Sequence, residues 1–350
     1  MDIEALAYKI LQRQEIFADH MNNTPPLVQR SILSASALTE QVLSLYSLPS
    51  PLTCQFWNHS INDSYLVKAG EASFMLRVAP ANWRSLEQFN AEIDLLHFLN
   101  RRQLTVPQPV AQKDGGFIQA LNAPEGIRYA ILFTLVPGAS PSMTETAGYR
   151  YGEAVAQLHI LTDDYPPEAA AFHFDASDMV DEPLTRIEAL FRAHRKDYDY
   201  LLEIAPGLKR IADTLPRIAP VYGICHGDLN AGNFHLHDEA SLSLVDFEYF
   251  GYGWRVFDLA TFFNTQLIDQ GRTNDTQRIL DAFLAGYQTH RHLSQSELEC
   301  LPYFVILRQL WLLGTSARYI PKSTVGLDLY QRWIFKQVMP FIRGWMVDLQ

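Results

Sequence analysis

The stretch VYGICHGDLNAGNFHLHDEASLSLVDFEYFGYGWRVFDLA, residues 221–260, decides how the rest of the chain is read. An apolar run, Val221 to Cys225, delivers a polar turn, His226-Gly227-Asp228-Leu229-Asn230-Ala231-Gly232-Asn233. A second, alternating run from Leu242 to Val245 delivers Asp246. Short apolar runs bounded by Gly, Asn and Asp are the pattern of strands and tight turns. The expectation is two short strands holding two polar loops side by side, with Asp228, Asn233 and Asp246 converging on one point. Gly227 and Gly232 are expected to adopt backbone angles closed to other residues, which turns the loop's side chains inward. His226 is expected to brace the loop rather than react.

The five-residue step from Asp228 to Asn233, with Asp246 following, is the spacing of the base and metal ligands in a protein-kinase catalytic site. H-G-D-L-N-A-G-N followed by V-D-F-E resembles the aminoglycoside phosphotransferase and choline kinase family, in which H-G-D replaces H-R-D and D-F-E replaces D-F-G. The resemblance covers about residues 52 to 350 and is strongest at these two loops. It implies an α+β, two-lobed protein-kinase-like fold, with a small antiparallel-sheet lobe carrying one helix and a large, mainly helical lobe. It also implies roles: Asp228 as catalytic base, and Asn233 and Asp246 as ligands of Mg²⁺ held against the phosphates of ATP or GTP. A carboxylate can take the proton of an attacking hydroxyl, and hard oxygen ligands suit Mg²⁺. An ordinary Asp- and Gly-rich turn before a core strand, or a member of the same fold without catalysis, are the competing accounts.

At 350 residues, 48% hydrophobic and 19% charged, the chain fits a compact protein of two lobes with no solenoid repeat. A net charge of −11 disfavours nonspecific binding to nucleic acid or to an anionic membrane, and leaves a cationic small molecule as the easier partner. Acidity that serves solubility alone is the alternative. Cys54, Cys225 and Cys300 lie far apart without a C-x-x-C pair, which fits a reducing cytoplasm rather than a disulfide framework or zinc site. The amino-terminal segment lacks the apolar core of an export signal, and no run approaches 18 apolar residues. The expected location is therefore cytoplasmic, with no membrane partner.

Three units are expected: a helical extension at 1–50, a nucleotide-binding lobe at 51–136, and a catalytic and substrate-binding lobe at 137–350. The extension shows helical spacing at Leu6, Ile10 and Leu11, and again at Leu38, Val42 and Leu45; it serves either packing or homodimer formation. From Leu52 the pattern turns strand-like, with a polar loop at Asn58 to Ser64 that is either a lid over phosphates, Ser64 included, or a plain hairpin connection. Phe74-Met75-Leu76-Arg77-Val78 places Arg77 where kinases carry the phosphate-binding lysine, unless it is a solvated strand arginine. Ser85 and Gln88 form a capping-box pattern ahead of a helix to Asn100, and Glu92 on its flank suits the carboxylate that pairs with Arg77. Strands follow at Phe117 to Ala120 and Tyr129 to Val136. The backbone from Phe133 to Leu135 is expected to meet the nucleobase edge, or else to be ordinary core strand.

The remainder reads as helices at Ala147 to Leu161, Pro183 to His194, Thr276 to Tyr287, Ser294 to Tyr319 and Leu327 to about Val347. His159 is expected to be a satisfied core or interlobe histidine, and Asp258 an N-cap that steadies the catalytic loop. Glu248, Tyr249, Tyr252, Trp254, Arg308, Trp311 and Tyr319 are either an acceptor pocket or filling of the large lobe. The function expected is transfer of the γ-phosphate to a hydroxyl of a small, amine-bearing or zwitterionic molecule. A stress-response serine/threonine kinase, or a nucleotide-binding regulator on the same fold, are the alternatives; no activation segment ending in an A-P-E signature follows Asp246 to support the first.

Overall fold

The computed structural model describes residues 28–166, 172–237, 242–318 and 324–349. The expected helix around Leu6 to Leu11 and the expected pocket residue Tyr319 lie outside these. Strands β1 (Leu52–His59), β2 (Asp63–Ala69), β3 (Ala72–Val78), β4 (Ile118–Ala123) and β5 (Gly126–Thr134) form one antiparallel sheet in the order β1-β2-β3-β5-β4. Period-two alternation sends Tyr65, Val67, Leu76, Val78 and Leu132 to one face, where they pack on Leu38 and Val42 of the segment around helix α1 (Ala35–Gln41). The other face turns Ile131 and Phe133 towards helix α2 (Leu86–Arg101), whose Phe89, Ile93, Leu96 and Leu99 are buried. Ser85 and Gln88 make the capping box in full, which fixes where α2 begins. Burying each of its large apolar side chains is worth about 1.5–3 kcal/mol, so the four together far outweigh the cap.

The chain then leaves the sheet through Val136-Pro137-Gly138 and becomes mainly helical. Helices α3 (Glu145–Leu161), α4 (Glu182–Ile187), α5 (Arg195–Ala212), α6 (Val256–Gln270), α7 (Asn274–Gln288), α8 (Gln295–Ser316), α9 (Thr324–Trp333) and α10 (Met339–Asp348) surround short strands that carry the polar loops. Strand β7 (Tyr222–Cys225) does not pair with the strand before Asp246. It pairs antiparallel with β10 (Gly251–Trp254), which also meets β6 (Phe172–Phe174), while β8 (Phe234–Leu236) pairs with β9 (Leu242–Leu244). The loops still meet, because the polar contacts described below bridge the two ribbons.

The helix expected from Pro183 to His194 stops at Ile187, passes through a tighter turn at 188–191, and gives way to α5, which the sequence reading missed. Pro206 inside α5 obscured its period, although Tyr198, Leu201, Ala205 and Leu208 are its buried stripe. The helix expected at 327–347 is divided by a wide turn at Ile334–Val338 ahead of Pro340, which has no amide to donate. Among the described residues no helix is long and apolar enough to cross a membrane.

Candidate active site

The site is built on a buried carboxylate beneath it. Asp258, in the first turn of α6, accepts the backbone N–H of His226 (2.6 Å) and of Gly227 (2.8 Å), together with Nε2 of His159 (3.0 Å). The N-cap of α6 is Arg255, so Asp258 is not a cap; it holds the loop's backbone from inside the helix. Burial pushes its pKa up to about 7, against the pull of the two N–H donors. Burial, with Arg255 next, drives His159 well below its ordinary value, so the imidazole is neutral and donates to Asp258 while its Nδ1 pairs with the Tyr287 hydroxyl at 2.9 Å. Gly227 has φ +83°, and a Cβ there would run into the Tyr249 carbonyl oxygen. Gly232, in contrast, has no such backbone; its N–H simply donates to the side-chain oxygen of Asn230 at 2.8 Å.

His226 joins the two loops. Its Nδ1 accepts the N–H of Asp228 (3.3 Å), and its Nε2–H donates to the Val245 carbonyl (3.0 Å), an arrangement only the neutral ring can make. Burial pushes its pKa down to about 4. A backbone bond from Val245 N–H to the Asn233 carbonyl (3.0 Å) completes the connection. Asp228 Oδ1 accepts from Nη2 of Arg308 on α8 (2.7 Å), and Oδ2 from the amides of Asn230 (3.0 Å) and Asn233 (3.2 Å). The Asn233 amide also donates to the Asp228 carbonyl at 2.8 Å, so its own carbonyl oxygen is the atom left over.

Asp246 takes a left-handed backbone, φ +64°, which costs of order 1 kcal/mol or more for a residue with a Cβ. The strain turns its carboxylate into the space between the lobes, where 43% of the side chain stays open to water. Enclosure between the lobes, followed by the charge of Glu248, raises its pKa well above the usual range, with Arg77 opposing. Arg77 on β3 makes a two-pronged contact with Glu92 of α2 at 2.7 Å, lies 3.8 Å from Asp246, and covers the Phe133 ring at 4.7 Å. Arg84 donates to the same Glu92 at 2.6 Å. Burial alone would raise the Glu92 pKa, but the two guanidinium groups hold it below its ordinary value. Glu248 accepts from Asn62 (2.6 Å) in the β1–β2 loop and from the Trp83 indole (3.4 Å), tying that loop to the Asp246 segment.

A cleft of about 340 Å³ lies between the lobes, and Ser64, Arg77, Glu92, Phe133, Leu135, Asn233 and Asp246 all line it. At the Phe133–Leu135 segment the N–H groups of Thr134 and Leu135 are already engaged by Gln108 and Ser73, so side chains rather than those amides face the space. A second cavity, of about 300 Å³, is bordered by Tyr249 and Trp311. Arg308 stacks over Trp311 at 4.7 Å while reaching Asp228, which links this cavity to the carboxylate. Trp254 is fully buried against Tyr222 and Phe304 and donates to the Leu215 carbonyl, and Tyr252 packs on Tyr222. Both leave the list of pocket residues. Trp83, Asp178, Glu182 and Arg318 border the second cavity and were not foreseen. Burial, then Asp175 and Glu182, raises the Asp178 pKa to about 6. No spacing in the sequence marks these four, since three elements distant in the chain bring them together.

This architecture is the kinase-like fold. The solved structure of the amicoumacin kinase hAmiN, at 19% identity, superimposes with a TM-score of 0.70 over 92% of this chain and 95% of that one. The chain belongs to the phosphotransferase enzyme family, whose sequence profile matches residues 53–295, and so to the small-molecule kinases. It is 32% identical over 283 residues to a functionally uncharacterised protein of Synechocystis sp., covering 80% of this chain and 77% of that protein. It is 29% identical over 259 residues to the homoserine kinase of Acidiphilium cryptum, covering 69% of this chain and 72% of that enzyme.

Proposed function

We propose that the chain transfers the γ-phosphate of ATP or GTP to a hydroxyl of a small, amine-bearing or zwitterionic molecule in the cytoplasm, with lobes divided at residues 136 and 137. The observation that carries this is a cleft lined by Asn233, Asp246 and the Arg77–Glu92 pair, with the Asp228 carboxylate hydrogen-bonded to the Asn233 amide. Asp228 accepts the acceptor's hydroxyl proton as its oxygen attacks phosphorus, and the bond to the β-phosphate oxygen breaks, releasing the nucleoside diphosphate. Arg77, held in place by Glu92, steadies the phosphates. Arg308 orients the Asp228 carboxylate.

The donor set fits Mg²⁺. Asp246 offers an open carboxylate in an acidic surround, and Asn233 offers the amide oxygen that its own hydrogen bonds leave over. Among the described residues no three His, Cys, Asp or Glu side chains form a metal cage by themselves, which suits an ion that takes its remaining ligands from phosphate and water. When bound, the ion would neutralise phosphate charge.

The second cavity supports the acceptor class. Asp178 and Glu182 can meet an ammonium group, the faces of Trp83, Tyr249 and Trp311 can pack on it, and Arg318 can meet a carboxylate. The names of the relatives, homoserine and amicoumacin kinases, favour a small acceptor too. The test is nucleotide consumption measured against amino alcohols, hydroxy amino acids, aminoglycosides and a generic protein substrate. Turnover with a small amine-bearing alcohol is expected; phosphate reaching only the polypeptide would contradict it.

A further inference from the structure

We propose that Trp57 stacks on the base of the bound nucleotide and closes the outer mouth of the cleft. The proposal rests on the nucleotide-binding role given above. Strands β1 and β2 pair residue for residue from Leu52 opposite Ala69 to Phe56 opposite Tyr65, and resume with Asn58 opposite Ser64. Trp57 is the extra residue of a bulge and faces no partner. In a regular pleat, neighbouring side chains point to opposite faces, so only one of Trp57 and Asn58 could border the cleft. The bulge lets both do so, and bulges beside binding sites commonly re-aim a side chain in this way.

The re-aimed side chain is a tryptophan left 65% exposed, an arrangement that burial energy alone disfavours. The space it borders is polarised. Met75, Phe133 and Leu135 supply apolar walls, while Arg77 and Asp246 supply the charged part. Phosphates suit the charged part, and a flat heteroaromatic base then falls among the apolar walls, where an indole face covers it. Stacking of this kind tolerates adenine and guanine alike, because each presents a π-face.

Trp57 is exposed, so its replacement leaves the core intact. The experiment is calorimetric titration of the wild type, Trp57→Ala and Trp57→Phe with ATP and, separately, with inorganic tripolyphosphate, both with Mg²⁺. Trp57→Ala is expected to weaken ATP binding about fivefold or more, the lower end of what one aromatic–base stack contributes. Trp57→Phe should retain most of the affinity, and tripolyphosphate, which has no base, should bind all three proteins alike. Equal ATP affinity in wild type and Trp57→Ala overturns the proposal. So does an equal loss towards ATP and tripolyphosphate, which would mean a disturbed strand. A wild type that binds no ATP fails the nucleotide-binding reading itself, and is told apart by that control.

Discussion

Arg77 answers to two carboxylates at once: Glu92, which it grips at 2.7 Å, and Asp246, 3.8 Å away. A positive charge placed between a structural anchor and the carboxylate proposed to hold a cation is suited to phosphate. Arg77→Met keeps the bulk and removes the charge; it should raise the nucleotide KM and slow transfer, and unchanged values of both would remove the pair from the site. His226 makes a different prediction, for stability. The folded ring titrates at about 4 and the unfolded ring at 6.5, so between these values the unfolded chain binds the proton that the native one refuses. Stability from this group is therefore full above pH 6.5 and is lost as pH falls towards 4, by roughly 3 kcal/mol in all. Asp258 opposes it, since a carboxyl raised to about 7 gains stability as pH falls through that value. Comparing the wild type with His226→Gln separates the two. Between pH 7 and 4.5 the wild type should lose stability faster than the variant, whereas parallel unfolding midpoints would refute the buried neutral ring.

At the scale of elements, α3 and α7 cross so closely that glycine is required on both. A Cβ on Gly152 would overlap the Phe283 carbonyl, and one on Gly286 the Tyr149 carbonyl. The close approach lets Tyr287 on α7 support His159 on α3, and through it Asp258 and the loop that carries Asp228. Gly286→Ala must push the helices apart, at a cost of about 1–3 kcal/mol. Denaturant titration should show that loss; an unchanged midpoint would contradict the contact. Elements with an unbroken period were legible from sequence, α2 with its capping box above all. Those whose boundaries depend on tertiary packing were not, as α5 with its internal proline and the β7–β10 pairing show. Pairing between short strands is chosen by what covers them, and residues 222–225 carry no mark of that choice.

Across the whole molecule, the spacing of Asp228 and Asn233 forecast their contact because loop chemistry is local, and the Arg77–Glu92 contact followed from a helix period. The second cavity was hardly legible, since Trp83 precedes α2, Asp178 and Glu182 lie near α4, and Trp311 sits on α8. Asn62 to Glu248 and Arg77 to Asp246 connect the two lobes across the cleft. The two aspartates should fail in different ways. Nucleotide titration with and without Mg²⁺, beside transfer rates, separates them in Asp228→Asn and Asp246→Ala. Asp228→Asn should bind Mg²⁺-nucleotide almost as the wild type does while transfer falls roughly 10²-fold or more. Asp246→Ala should lose the Mg²⁺-dependent part of nucleotide affinity as well as transfer. Wild-type transfer in the first variant, or unaltered Mg²⁺-nucleotide affinity in the second, would contradict the account.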